Sequence, residues 1–207
     1  MTQPTLWSAG AREPAVTDLE GLLAGPGHIV KRGDSARIGI IVTPERADRL
    51  ARLLDLELGM QVELTDVDSG SGIAVRTPWL AALLPVAAAW QRGSSIVPPP
   101  GRQLDGARLR WWLVAAGRRS DAAYTLPLAA TSEGAWPGVG AALSYAGVAG
   151  VLVGPRAGGP AYRVVGQRRL SRLRELVGDP PAGVPEGDWP PSSGHEPTRH
   201  VTGRGTL

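Results

Sequence analysis

The densest set of chemically active side chains is a run of arginines near residue 170. Between Gln167 and Val177, leucines at 170 and 173 recur at helical spacing, which predicts an amphipathic helix with one buried stripe. Four arginines fall largely outside that stripe: Arg168, Arg169, Arg172 and Arg174. Such a basic helical surface either stays solvated or binds an acidic protein partner or DNA phosphate.

Side chains for catalysis or metal binding are sparse. The chain has no cysteine and three histidines, so we expect no disulfide, no metal site and no cofactor. Ser69 and Ser71 have no histidine nearby in the sequence to complete a nucleophilic triad. The glycine-rich segments 134–140 and 154–159 lack the Gly-Lys-Ser/Thr ending of a phosphate-binding loop. We therefore expect a binding protein without a small-molecule substrate.

Charge is distributed unevenly along the chain. Residues 1–100 carry 9 basic and 11 acidic groups, residues 101–177 carry 11 and 4, and the remainder carries 2 and 4. A basic second half favours contact with nucleic acid or an acidic protein, although a solvated arginine-rich face is the alternative. Lysine occurs only once among the 22 basic residues, which is typical of a GC-rich genome of the actinobacterial type.

No segment predicts export or a membrane span. Residues 1–12 lack a basic stretch followed by an apolar core. The longest apolar run, Pro78 to Trp90, has 13 residues and contains Pro85, and it is too short for the ~20 residues that cross a bilayer. We expect a cytoplasmic protein without membrane contact, in which this run, including Trp79, is a buried helix.

An internal repeat organises the sequence. The first copy reads as a short apolar helix at 18–25, a hairpin, a helix opened by Thr43 and Pro44, a second hairpin and the apolar helix from Pro78. The second copy repeats this order from the helix 104–117, although its first hairpin is less clear. Gly147 follows Gly59 at an offset of 88 residues. We predict an α+β fold of two αββαββα units with two-fold pseudo-symmetry.

The boundaries of the units follow from composition. We predict a flexible N-terminus at 1–16, the first unit at 17–92, a Pro-rich linker at 93–103, the second unit at 104–177 and a disordered tail at 178–207. Trp189 lies in that tail. It either docks onto the domain, forms a short binding motif or has no partner.

Residues 19–27, Leu-Glu-Gly-Leu-Leu-Ala-Gly-Pro-Gly, resemble the LAGLIDADG helix of homing endonucleases, and residues 109–117 resemble it more weakly. The resemblance covers about residues 17–177 and implies a saddle-shaped fold in which two motif helices cross closely at small residues. Gly21 and Gly25 suit that crossing, with Ala115 opposite, whereas Trp111 implies a rotated or wider one.

Within this superfamily, the degenerate LAGLIDADG core of WhiA-type sporulation regulators is the more similar. The likeness rests on residues 110–117, on the strand ending near Thr131 and on the arginine-rich last helix. It implies a regulator of transcription or development that acts through DNA or the transcription machinery. The helix-turn-helix domain that such regulators carry after this core is expected to be missing.

The resemblance also implies that catalysis is lost. Homing endonucleases hold divalent metals with one acidic residue near the end of each motif helix. The matching positions are Pro26 and Ala116, whose side chains have no oxygen ligand. We expect a protein that is not an enzyme. An active metal-dependent endonuclease is the least favoured alternative.

The same fold presents a concave sheet to double-stranded DNA, which implies phosphate contacts from strand and hairpin residues. The candidates are Lys31, Arg32, Arg37, Arg118, Arg119, Arg156 and Arg163. In the first unit, Glu63, Asp66 and Asp68 are expected to repel a DNA backbone. Any DNA binding is therefore predicted to be weak and non-specific or confined to the second half. A protein-interaction module without nucleic acid is the main alternative.

Overall fold

The computed structural model describes residues 13–67, 70, 72–93, 95–120 and 122–192. It shows an α+β fold of two units, each with one four-stranded antiparallel sheet. Within the described ranges, no helix combines the length and apolar composition that a bilayer crossing requires.

The first unit runs from residue 16 to residue 90. Its elements are a 3-10 turn (Val16–Leu19), α1 (Glu20–Ala24), β1 (His28–Arg32), β2 (Ser35–Val42), α2 (Pro44–Leu58), β3 (Glu63–Asp66), β4 (Ile73–Arg76), a 3-10 turn (Ala81–Leu83) and α3 (Leu84–Trp90). A small hairpin of β5 (Gln91–Arg92) and β6 (Ser95–Ile96) follows it. The predicted linker therefore begins inside a hairpin.

The second unit repeats the order. Its elements are α4 (Gly106–Ala116), β7 (Arg118–Ser120), β8 (Ala123–Pro127), a 3-10 turn (Glu133–Ala135), α5 (Trp136–Tyr145), β9 (Val151–Val153), a 3-10 turn (Pro155–Ala157), β10 (Ala161–Val165) and α6 (Gln167–Val177). The hairpin that was unclear from sequence is formed by β7 and β8.

Both sheets have one topology, which confirms the predicted duplication. Their strand orders are β1-β2-β4-β3 and β7-β8-β10-β9, so each strand of one sheet has a counterpart in the other. Gly59, which ends α2, and Gly147, just beyond α5, both have positive φ angles, of 60° and 81°. A residue with a Cβ is strained in that conformation, so the equivalent turns require glycine.

The two units join where α1 meets α4 at very close range. A Cβ added to Gly21 would lie 1.8 Å from the carbonyl oxygen of Arg108, and one added to Gly25 would lie 2.5 Å from the Trp112 ring. Gly21 of α1 and Gly25, which follows it, therefore lie against the α4 backbone and Trp112. Ala115 was expected opposite these glycines, but the side chain nearest to Gly25 is that of Trp112. Trp112 Nε1 donates to Pro127 O at 2.9 Å.

A buried carboxylate reinforces this junction. Glu20 is fully buried in α1, and Arg102 donates to both of its oxygens, from Nε to Oε2 at 2.7 Å and from Nη2 to Oε1. Arg108 Nε donates to Oε2 at 2.9 Å. Hydrogen bonding to Glu20 raises the pKa of Arg102. Because a buried charge is tolerated only when it is paired, this cluster depends on both halves of the chain.

A second cross-unit contact involves Arg46 of α2. Its guanidinium donates to Val114 O at 3.1 Å and to Gly117 O at 2.6 Å, so it binds carbonyl groups at the C-terminal end of α4. Cations at that end of a helix are favourable. Burial is the main reason that the pKa of Arg46 is lowered.

The segment 178–192 after α6 packs against the second unit, although composition predicted a disordered tail from residue 178. Trp189 is fully buried, and its Nε1 donates to Gly178 O at 2.8 Å. Tyr124 donates its hydroxyl proton to Asp188 O at 3.0 Å. Burial of a large aromatic surface, with its N–H satisfied, outweighs the Pro/Gly-rich composition. The rest of the predicted tail, 193–207, and residues 1–12 lie outside the described residues.

We expect Gly21→Ala to destabilise the protein by about 3 kcal/mol, because the new methyl group overlaps the α4 backbone. Alanine would otherwise favour a helix by ~1 kcal/mol, so the sign of the change is diagnostic. Gly134→Ala is the control, because a Cβ there meets nothing within 4 Å. Urea denaturation should separate the two variants, and equal midpoints would contradict the close crossing.

Replacement of Glu20 by glutamine should lower the free energy of unfolding by about 3 kcal/mol, since two arginines lose their buried partner. Glu45→Gln, at an exposed position in α2, serves as the control and should change stability by less than about 0.5 kcal/mol. Thermal unfolding measures both variants. A Glu20→Gln protein as stable as the control would show that the cluster does not join the units.

Candidate nucleic-acid interface

The register of the first sheet places polar residues on its outer face, away from the helices. In β2, Ile38 and Ile40 are buried in the core, so alternation directs Arg37 and Gly39 to the opposite face. Arg76 of β4 pairs with Gly39, and Glu63 of β3 pairs with Arg76. Three charged residues from three strands thus share the outer face.

These residues form a connected cluster. Arg37 Nη1 lies 3.3 Å from Glu63 Oε2, and Arg76 Nη1 lies 3.1 Å from Glu63 Oε1. Arg76 Nη1 also donates to Thr65 Oγ1 at 3.0 Å. We call Arg37, Glu63 and Arg76 the triad. The acidic group that was expected to repel DNA is paired with two cations.

Trp79 extends the cluster at its edge. The guanidinium carbon of Arg37 lies 4.6 Å from the ring centroid, and that of Arg32 lies 5.7 Å from it, both within cation–π range. The sequence predicted Trp79 inside a buried helix. It lies instead before the 3-10 turn and is only partly buried.

His28 lies on the same face beside Gly39. A Cβ on Gly39 would be 2.7 Å from the imidazole, so glycine is what allows the ring to cover β2. Partial burial and then the charges of Arg76 and Arg37 lower the pKa of His28. The neutral form is favoured because both arginines repel a proton on the ring.

The second sheet has a simpler row on its outer face. Arg118 pairs with Thr125, Thr125 pairs with Arg163, and Arg163 pairs with Val151. Tyr124 and Leu126 on the other face are fully buried, which confirms the direction of the row. Two strand spacings of ~4.8 Å separate the backbones of the two arginines.

The predicted DNA contacts are therefore divided by the fold. Arg32, Arg37, Arg118 and Arg163 lie on outer faces. Lys31 pairs with Ala36, whose side chain is in the core, so it belongs to the helix side of β1. Arg156 is exposed in the loop between β9 and β10.

Arg119, also predicted as a DNA contact, lies on the other face of the second sheet and binds the protein itself. It pairs with Tyr124 on the helix side of the sheet, and its Nη1 donates to Glu186 O at 3.3 Å and to Trp189 O at 3.5 Å. Because consecutive strand residues point to opposite faces of a sheet, Arg119 and Arg118 lie on opposite faces. The Arg119 guanidinium holds the segment after α6.

The proposed partner surface on α6 is likewise divided. Arg172 pairs with Glu175 at 2.9 Å. Arg174 lies 2.6 Å from Glu186 and 2.8 Å from Asp179. Arg168 and Arg169 are exposed, and within the described part of the chain no ion pair involves either one. Within the described residues, these two arginines are therefore the members of the set without an ion pair.

The ends of α1 and α4 carry the positions that match the acids of homing endonucleases. Pro26 follows α1, and Ala116, 9% exposed, ends α4. Neither side chain can ligate a cation, and the guanidinium of Arg46 binds the backbone on both sides of Ala116. These residues do not fit a metal pair. In the described ranges, no three His, Asp or Glu side chains lie together as potential ligands.

Four outer-face residues were not identified as interface residues from sequence: His28, Glu63, Arg76 and Trp79. The alternation in Ile73-Ala-Val-Arg76 indicates that Arg76 faces away from buried Val75. The pairing of β2 with β4, which are not consecutive, then decides which residues it meets.

No protein-family profile matches the chain, and no curated protein matches it. Among solved structures, the chain is similar to the homing endonuclease I-WcaI bound to its DNA recognition sequence. The identity is 12%, the TM-score is 0.57, and the match covers 77% of this chain and 78% of that chain. Mesophilic variants of the homing endonuclease I-DmoI also match, with 14% identity, a TM-score of 0.44 and coverage of 77% and 93%. The predicted LAGLIDADG-like fold is confirmed.

The environment of His28 gives a pH-dependent prediction. An NMR titration should show a pKa below about 6.5, the ordinary value, and Arg76→Met should raise it by removing a repelling charge. The folded protein then binds fewer protons than the unfolded chain, so the free energy of unfolding decreases as the pH falls from the ordinary value to the lower pKa of the folded state. Arg52→Met on α2 is the charge-matched control. An unchanged pKa in Arg76→Met would contradict the geometry.

Proposed function

We propose that this protein binds double-stranded DNA through the outer faces of its two sheets and does not cleave it. The observation that carries the proposal is that each outer face holds two arginines. These are Arg37 and Arg76 in the first sheet and Arg118 and Arg163 in the second. The structurally similar I-WcaI is described as bound to its DNA recognition sequence. Arginines on a sheet face bind phosphates and base edges.

Absence of cleavage is proposed from the chemistry at the ends of α1 and α4. Phosphodiester hydrolysis by a metal needs ligands that hold the cation and activate water. Pro26 and Ala116 supply none, and Arg46 already places a positive charge against the end of α4. A cation there would meet repulsion without compensating ligands.

A regulatory role is the finer part of the proposal. The sequence resemblance to the WhiA-type core over residues 17–177 supports a regulator of transcription or development. In such a role the protein acts on promoter DNA, on the transcription machinery or on both. Arg168 and Arg169, exposed at the start of α6, offer a contact for an acidic protein of that machinery.

The alternative is a protein-interaction module that binds no nucleic acid. The exposed Arg168 and Arg169 on α6 favour it, because neither forms an ion pair within the described residues. The two functions differ in which arginines matter: sheet residues for DNA and α6 residues for a protein partner.

DNA binding should be measured by fluorescence anisotropy on a 30-bp duplex over a salt series. We expect log K to fall linearly with log salt, and Arg118→Ala and Arg163→Ala each to reduce the slope by about 0.9. Arg52→Ala, which removes an equal charge from the helix side, should leave the slope unchanged.

Two results would contradict the proposal. Absence of binding at low salt would leave the protein-interaction module, and Arg168→Ala would then be the informative variant. Cleavage of the duplex on addition of magnesium would overturn the non-catalytic assignment.

A further inference from the structure

The outer face of the first sheet contains a feature that phosphate binding does not explain. Glu63 is 56% exposed in its side chain, yet both its oxygens face guanidinium groups. This carboxylate pairs with two arginines and so reduces their contact with phosphate oxygens. Its presence indicates a different ligand at this point of the surface.

We infer that the triad reads G·C base pairs in the major groove, and that Glu63 determines this specificity. The inference rests on the proposed DNA binding and adds the base pair that the first unit prefers. It assigns general phosphate contact mainly to the second sheet.

The chemical fit concerns base edges. Guanine presents two acceptors in the major groove, O6 and N7, which match the two-pronged donor of arginine. Cytosine presents the N4 amino group, a donor that a carboxylate accepts. Arg76 and Glu63 are direct cross-strand neighbours, so a donor fork and an acceptor lie side by side. An A·T pair presents the N6 donor of adenine between two acceptors, so it lacks the two adjacent acceptors that the arginine fork requires.

The local geometry keeps these groups accessible and ordered. The side chains of Arg76 and Glu63 are 29% and 56% exposed, and the His28 ring lies over Gly39, the other cross-strand neighbour of Arg76. Arg37 is held on one side by Trp79 at 4.6 Å and on the other by Glu63 at 3.3 Å. Side chains that are already positioned lose less conformational entropy when they bind.

The second sheet lacks the acceptor. Its outer row contains Arg118, Thr125 and Arg163 with Val151 at the edge. No carboxylate belongs to this row. Its arginines are suited to phosphates, so the two units are expected to contribute differently to one complex.

The test is selection of bound sequences from a random 30-bp duplex pool, followed by anisotropy on the enriched and a scrambled duplex. The wild-type protein should enrich G·C pairs at fixed positions and prefer the enriched duplex by about tenfold or more. Glu63→Gln should lose most of that preference, bind the scrambled duplex more tightly and show a steeper salt dependence, because two arginines become free for phosphates.

Two further variants make the result interpretable. Glu133→Gln, at an exposed position outside the sheets, removes the same charge and should behave as wild type. Arg76→Lys keeps the charge but loses the fork, so the preference should fall while the salt slope stays the same.

The outcomes separate the two proposals. DNA binding without G·C enrichment, or a Glu63→Gln protein with the selectivity of Glu133→Gln, overturns the inference and leaves the proposed function standing. Absence of DNA binding by the wild-type protein overturns both.

Discussion

The burial of Glu20 at the junction of α1 and α4 is the constraint on which the rest of the structure depends. A carboxylate without water is stable only among donors, and its donors, Arg102 and Arg108, come from the linker and from α4. The adjacent Gly21 lets the two backbones meet. Neither unit satisfies this arrangement alone, so the charge cluster links the two units at this junction.

The two units share a topology but complete their cores differently. In the first, α3 packs on β1, and Trp90 at its end is buried. In the second, the 3-10 turn 186–188 lies against β7, and the following Trp189 is buried instead. Arg49 of α2 also lies 3.5 Å from Asp188. The segment after α6 is thus an integral part of the second unit and contacts the first.

The charge count of the second half overstates the surface available to DNA. Arg102 and Arg108 bind Glu20, and Arg110 donates to Asp179 O at 2.7 Å. Arg174 pairs with Glu186 in the segment after α6. These arginines satisfy carbonyl and carboxylate groups of the protein itself. The first half, acidic by count, nevertheless presents an arginine-rich outer face, because Asp66 belongs to the other side of its strand. Net charge per segment is therefore a poor guide to either face.

The sequence alone determined the order of elements, the duplication and most element boundaries, because these depend on local information. Pro44 and Gly59 bound α2, leucine spacing defines α6, and equivalent glycines mark equivalent turns. The tertiary structure decided what the charged side chains do. The triad joins residues 26 and 13 positions apart in the chain, and the burial of Trp189 depends on Gly178 and β7. Pairing between non-consecutive strands and packing of a distant segment are set by the whole core, so no local pattern encodes them.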